Sequence, residues 1–204
     1  MSYFSAVICR NGSGWRALDV DLEDLESLDE VGDHLRAASH GGPVLAVLER
    51  EDEWFALIRV DDDNEPRVFV SDLDATQRSH YAEMLAPVAD VELEEYAELR
   101  NPSASTSTPS DLGDDTADDP VDVEEHPDAD ADPLLSGADD DLAAAAIEPE
   151  LPPAWAGDPG LLEDVGVEAS ELVDLVLAAP SDPGSVVADL GERCGFDELI
   201  EALR

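Results

Sequence analysis

Asp61-x-Asp63-x-Glu65 places three carboxylates at alternate positions, the pattern with which calcium loops wrap a hard cation in oxygen ligands. The sixth position of such a loop turns on glycine. Here it is Pro66, so the run reads as a solvated hairpin turn between two strands. Four histidines, His34, His40, His80 and His126, are of the residue type most often used for metal or acid–base chemistry. No two are spaced i, i+4, and no cysteine pair completes a zinc set, so they read as surface or packing residues. Cys9 and Cys194 lie far apart without a C-x-x-C, which indicates reduced thiols and not a disulfide framework. Asn11-Gly12-Ser13-Gly14 lacks the lysine of a phosphate loop, and no G-x-S-x-G elbow occurs. All ten basic residues are arginine, which excludes a Schiff-base lysine. The sequence therefore predicts no catalytic, cofactor-binding or metal-binding residues, and no enzyme.

The charge is more informative. The chain has 204 residues, 52 acids and a formal net charge of −42. Between Arg100 and Arg193 there is no lysine or arginine, while the same stretch carries 25 of the acids. Such a balance argues against direct contact with nucleic acid or an anionic membrane and points to a basic partner. A solubilising spacer and a salt-adapted surface are the plainer accounts of the same acidity. No apolar run approaches the roughly 20 residues of a membrane span, and the start lacks a charged region and apolar core of a signal peptide. A cytoplasmic protein is expected.

What must position these residues divides into three parts. Residues 1–86 read as an α+β domain. Tyr3–Cys9 and Trp15–Val20 flank the glycine-rich turn as a hairpin. Leu25, Leu28, Val31, Leu35 and Ala38 form one apolar stripe on an acidic helix, ended by Gly41-Gly42-Pro43. Three strands follow at Val44–Leu48, Trp54–Val60 and Arg67–Ser71, and a second helix is expected from about Ala75 to Leu85, stopping before Pro87. That order predicts a small antiparallel sheet with helices on one face. Residues 87–157 read as an acidic, largely disordered linker, whose composition buries too little apolar surface to offset chain entropy. Within it Val88, Val91, Leu93, Tyr96 and Leu99 leave open whether 87–100 packs on the first domain. Residues 158–204 read as a small helical module, with Asp182-Pro183 as a helix start and Gly195 as a stop. So short a module is near the lower limit for independent stability and is expected to dock on the first domain or on a partner.

Both ends of the chain resemble the actinobacterial family of tRNA adenosine deaminase-associated proteins. The resemblance rests on Tyr3-Phe4-Ser5-Ala6-Val7 with Trp15-Arg16, on Trp54–Asp62 through Val68-Phe69-Val70-Ser71-Asp72, and on Cys194-Gly195-Phe196-Asp197-Glu198-Leu199. It implies association with the enzyme that converts wobble adenosine to inosine in tRNA, and supplies no catalytic residue. The chain is not that deaminase, because H-x-E followed by P-C-x-x-C is missing. The expected function is a non-enzymatic accessory protein that binds the deaminase. The alternatives are a nucleic-acid mimic that competes with tRNA for a basic cleft, and an acidic protein of unknown function.

Overall fold

In the computed structural model, residues 3–100 and 154–204 are described, apart from residues 13, 40, 51, 62, 63, 92 and 93. Most of the expected linker, 101–153, lies outside the described residues. The strands are β1 (Tyr3–Asn11), β2 (Gly14–Leu18), β3 (Val44–Arg50), β4 (Trp54–Val60), β5 (Arg67–Val70) and β6 (Ala156–Gly157). They form one sheet in the order β2-β1-β3-β4-β5-β6, and every neighbouring pair is antiparallel.

Because strand side chains alternate between faces, the register sorts the sheet into two apolar surfaces. Val7, Ala46, Ile58 and Val68 are aligned across four strands and lie in one core with Leu48, Trp54 and Ala56. Their neighbours Ile8, Leu45, Leu57 and Phe69 belong to a second core on the opposite face.

The first face is covered by the N-terminal helices. Helix α1 (Leu28–Ala38) is capped by Ser27, whose side chain accepts from the Glu30 amide, and it buries Val31, Gly32 and Leu35. Gly32 is required by a close approach, since a Cβ there would sit 2.7 Å from Pro66 Cγ. The expected second helix is two short ones, α2 (Leu73–Thr76) and α3 (Ala82–Leu85). The break has a local cause. The Ser79 hydroxyl donates to the Thr76 carbonyl at 2.6 Å and accepts from the Tyr81 amide at 3.2 Å, hydrogen bonds that compete with helix continuation. A 3-10 turn at Ala86–Asp90 follows and buries Val88 in the first core. Helix α4 (Ala97–Arg100) comes after it, and its Leu99 packs on the second core.

The C-terminal segment covers the second face. After β6 come a 3-10 segment at Pro159–Val165, α5 (Ala169–Ala178), α6 (Pro183–Cys194) and α7 (Asp197–Leu203). Asp182 caps α6 by accepting from the Ser185 amide, Pro183 occupies its first turn, and Gly195 ends it at φ 78°. Leu162, Leu172, Val176, Val187, Leu190 and Phe196 pack against Phe55, Leu57 and Phe69 of the sheet. Trp155 stacks on Phe69 with ring centroids 6.0 Å apart. Each face of the sheet thus has its own helical layer.

Candidate protein-binding surface

The buried charges of this fold are structural. Arg59 follows Leu57 by two residues and so lies on the same face, 5% exposed. Its guanidinium donates to Asp61 Oδ1 at 2.9 and 2.8 Å, to the Leu161 carbonyl at 2.6 Å and to Asp164 Oδ2 at 2.9 Å. Burial alone would lower its pKa, but the hydrogen bonds it donates to Asp164 and Asp61, with their negative charges, outweigh that and leave it raised. Asp164 is correspondingly held below the usual carboxylate value, chiefly by its hydrogen bond from Arg59. Asp61, the first carboxylate of the calcium-like run, is thereby occupied. Asp63 lies outside the described residues, and among the described residues no group of three His, Cys, Asp or Glu is placed to hold a metal.

The other sequence-marked groups are dispersed. His34 Nδ1 donates to the Glu30 carbonyl at 2.9 Å and His80 Nε2 to the Glu23 carbonyl at 2.8 Å. His40 and His126 lie outside the described residues. Cys9 is buried in the first core. Cys194 packs on the second, and burial pushes its thiol up to about 11, which leaves little reactive thiolate near neutrality. Gly12, at φ 64°, turns the β1–β2 hairpin.

Carboxylates dominate the outside, where Arg16 and Arg78 are exposed bases. Six arginines are drawn into ion pairs: Arg36 with Asp33, Arg50 with Glu53, Arg59 with Asp61 and Asp164, Arg67 with Asp158, Arg193 with Glu171, and Arg204 with Glu49. Against this, the segment from Asp19 to α1 presents Asp19, Asp21, Glu23, Asp24, Glu26, Asp29, Glu30 and Asp33, all exposed. No base occurs between Arg16 and Arg36. The segment is held in shape by Leu22, fully buried in the first core, and by the His80 hydrogen bond. Glu23, Asp24 and Glu26 line one side of a shallow cleft, and Ser79, His80 and Glu83 the other. The adjoining Tyr81 phenol is pushed up to about 12, first by burial and then by Glu23 and Asp21.

A second acidic depression lies between Glu95, Glu98, Glu163 and Glu168. Tyr96, beside it, donates to Glu163 Oε1 at 3.4 Å. Its phenol is pushed up to about 12, by burial first and Glu163 next. Sequence reading identified the excess of acid and not these two places. Among the described residues no helix is long and apolar enough to cross a membrane.

This geometry includes two carboxylate-lined surfaces suited to a cationic protein. In comparisons with known proteins, no curated protein and no solved structure matches the chain. A family model matches residues 3–197, and the chain belongs to the Rv3753c-like tRNA adenosine deaminase-associated protein family.

Proposed function

We propose that this protein is a non-enzymatic accessory protein that binds a tRNA adenosine deaminase through its acidic surface. The observation that carries the reading is the ridge from Asp19 to Glu30, seven exposed carboxylates with no lysine or arginine among them. A deaminase that acts on tRNA is rich in basic surface, and as an accessory this polyanionic protein docks on basic surface outside the cleft that takes tRNA. Such complementarity raises the association rate and selects among partners, and salt weakens it. Family membership supports the choice of partner.

The same complementarity supports a second reading, a mimic that occupies the cleft meant for tRNA. Steady-state deamination at varied tRNA separates the two. An accessory protein leaves the apparent KM for tRNA unchanged or lowers it, whereas a mimic raises it, less so as salt increases. A deaminase indifferent to this protein in both binding and activity defeats both readings.

A further inference from the structure

At the end of the acidic ridge, a groove of about 260 Å³ opens between the start of α1, the turn before β5 and the 3-10 turn at Ala86–Asp90. Leu28, Pro66 and Val88 form its apolar floor, and Pro87 and Val91 stand at its mouth. Val91 is 37% exposed, one of few large apolar residues so placed. The walls are fixed in advance. Pro66 abuts Gly32 of α1, and Arg36 Nη2 donates to the Asn64 carbonyl at 3.1 Å, tying the turn to the helix. The volume suits one or two side chains, being below the roughly 300–1,000 Å³ of a small-molecule site.

The rim decides what can enter. Arg67 is its only base, and its Nε donates to Asp158 Oδ2 at 2.6 Å. Glu65 is exposed at the rim, Asp29 and Glu30 follow Leu28 in the first turn of α1, and exposed Asp90 precedes Val91. A second copy of this chain, also carrying a net charge of −42, is repelled from such a rim at moderate salt. An apolar side chain flanked by arginine or lysine is attracted to it.

We infer that this groove seats an apolar anchor residue of a basic protein segment, flanked by cationic side chains that meet Glu65 at the rim and the exposed acids next to Leu28 and Val91 in the chain. The inference rests on the accessory reading above and assigns the anchoring segment to the deaminase. Buried anchors dominate interface energetics, while rim charges set rate and salt dependence.

The test is calorimetric titration of the full-length protein with the deaminase of the same organism, using wild type, Val91→Arg, Pro87→Arg, Val91→Leu and Leu177→Arg. Leu177 is a control, 42% exposed on α5 in the opposite helical layer. Thermal melts check that each variant folds. The two arginine variants at the mouth should bind at least about tenfold more weakly, with Val91→Leu and Leu177→Arg like wild type. Mouth variants that bind like wild type overturn the groove and leave the accessory reading standing. Equal weakening by Leu177→Arg also overturns the groove. A wild-type protein that does not bind overturns the accessory reading, and the groove with it.

Discussion

Arg59 Nη2 lies 2.9 Å from Asp164 Oδ2, joining the C-terminal end of β4 to a residue 105 positions later in the chain. The pair holds the 3-10 segment Pro159–Val165 against the sheet and places a permanent cation under the second helical layer. Around it, Trp15 Nε1 donates to the Cys194 carbonyl at 2.8 Å, and Arg204 pairs with Glu49 while its guanidinium lies over the Phe4 ring. The two ends of the chain are fastened by charge and hydrogen bonding as well as by apolar packing.

Arg59→Ala should destabilise the protein by about 2–3 kcal/mol, less than for a fully buried pair because Asp164 is half exposed. Asp61 and Asp164 lose their partner and the Leu161 carbonyl loses a donor. Urea denaturation measures the change, and a loss within about 0.5 kcal/mol, typical of an ordinary surface site, would contradict the structural role.

The pH dependence of the same pair has a definite sign. The Asp164 carboxyl is held below its ordinary value in the folded state by Arg59. Its contribution is therefore complete above the unfolded value of about 3.9 and is lost as pH falls through the depressed folded value. The stability gap between wild type and Asp164→Asn should be constant above about pH 5 and close progressively below about pH 4. A gap that widens on acidification would contradict the assignment.

At the alkaline end Tyr81 contributes alongside Tyr96 and Cys194. The folded value of Tyr81 is raised to about 12, so its contribution is complete below the ordinary phenol value of about 10 and is lost as pH rises from there through the folded value. Wild-type stability should fall between pH 10 and about 12 more steeply than that of Tyr81→Phe. Parallel curves would show that Tyr81 ionises as freely folded as unfolded.

Gly157→Ala should loosen β6. Its φ is 89°, and a Cβ there would lie 2.0 Å from the Val68 carbonyl oxygen, which accepts from the Asp158 amide at 2.8 Å. A cost above about 2 kcal/mol is expected from the strained conformation and the clash together. Hydrogen exchange should show β5 and β6 losing protection first.

Much of this fold was legible. The hairpin, the apolar stripe of α1, β3 to β5, and the α6 boundaries at Asp182-Pro183 and Gly195 follow from alternation, helical spacing and capping chemistry, while the Ser27 cap was not read. The break between α2 and α3 was hidden because Thr76 and Ser79 redirect hydrogen bonds that periodicity does not see. Strand β6 is only two residues, Ala156 and Gly157, and its pairing with Phe69 and Val70 joins positions 86 to 88 apart, beyond any local pattern. One signal for the second helical layer was present. Val44–Leu48 and Trp54–Phe55-Ala56-Leu57-Ile58 are unbroken apolar runs, which suit strands buried on both faces. The acidic surface was visible as composition, but which carboxylates stay outward depended on which arginines the interior ion pairs consume.

The central claim is that the acidic ridge binds the deaminase, and calorimetric titration of the deaminase with wild type and with Asp21→Asn/Glu23→Gln/Asp24→Asn/Glu26→Gln, at low and physiological salt, tests it most directly. The account predicts saturable wild-type binding that weakens with salt, and a variant that folds normally yet binds more weakly with a shallower salt dependence. Absence of wild-type binding at both salt concentrations, or identical binding by the variant, would contradict it.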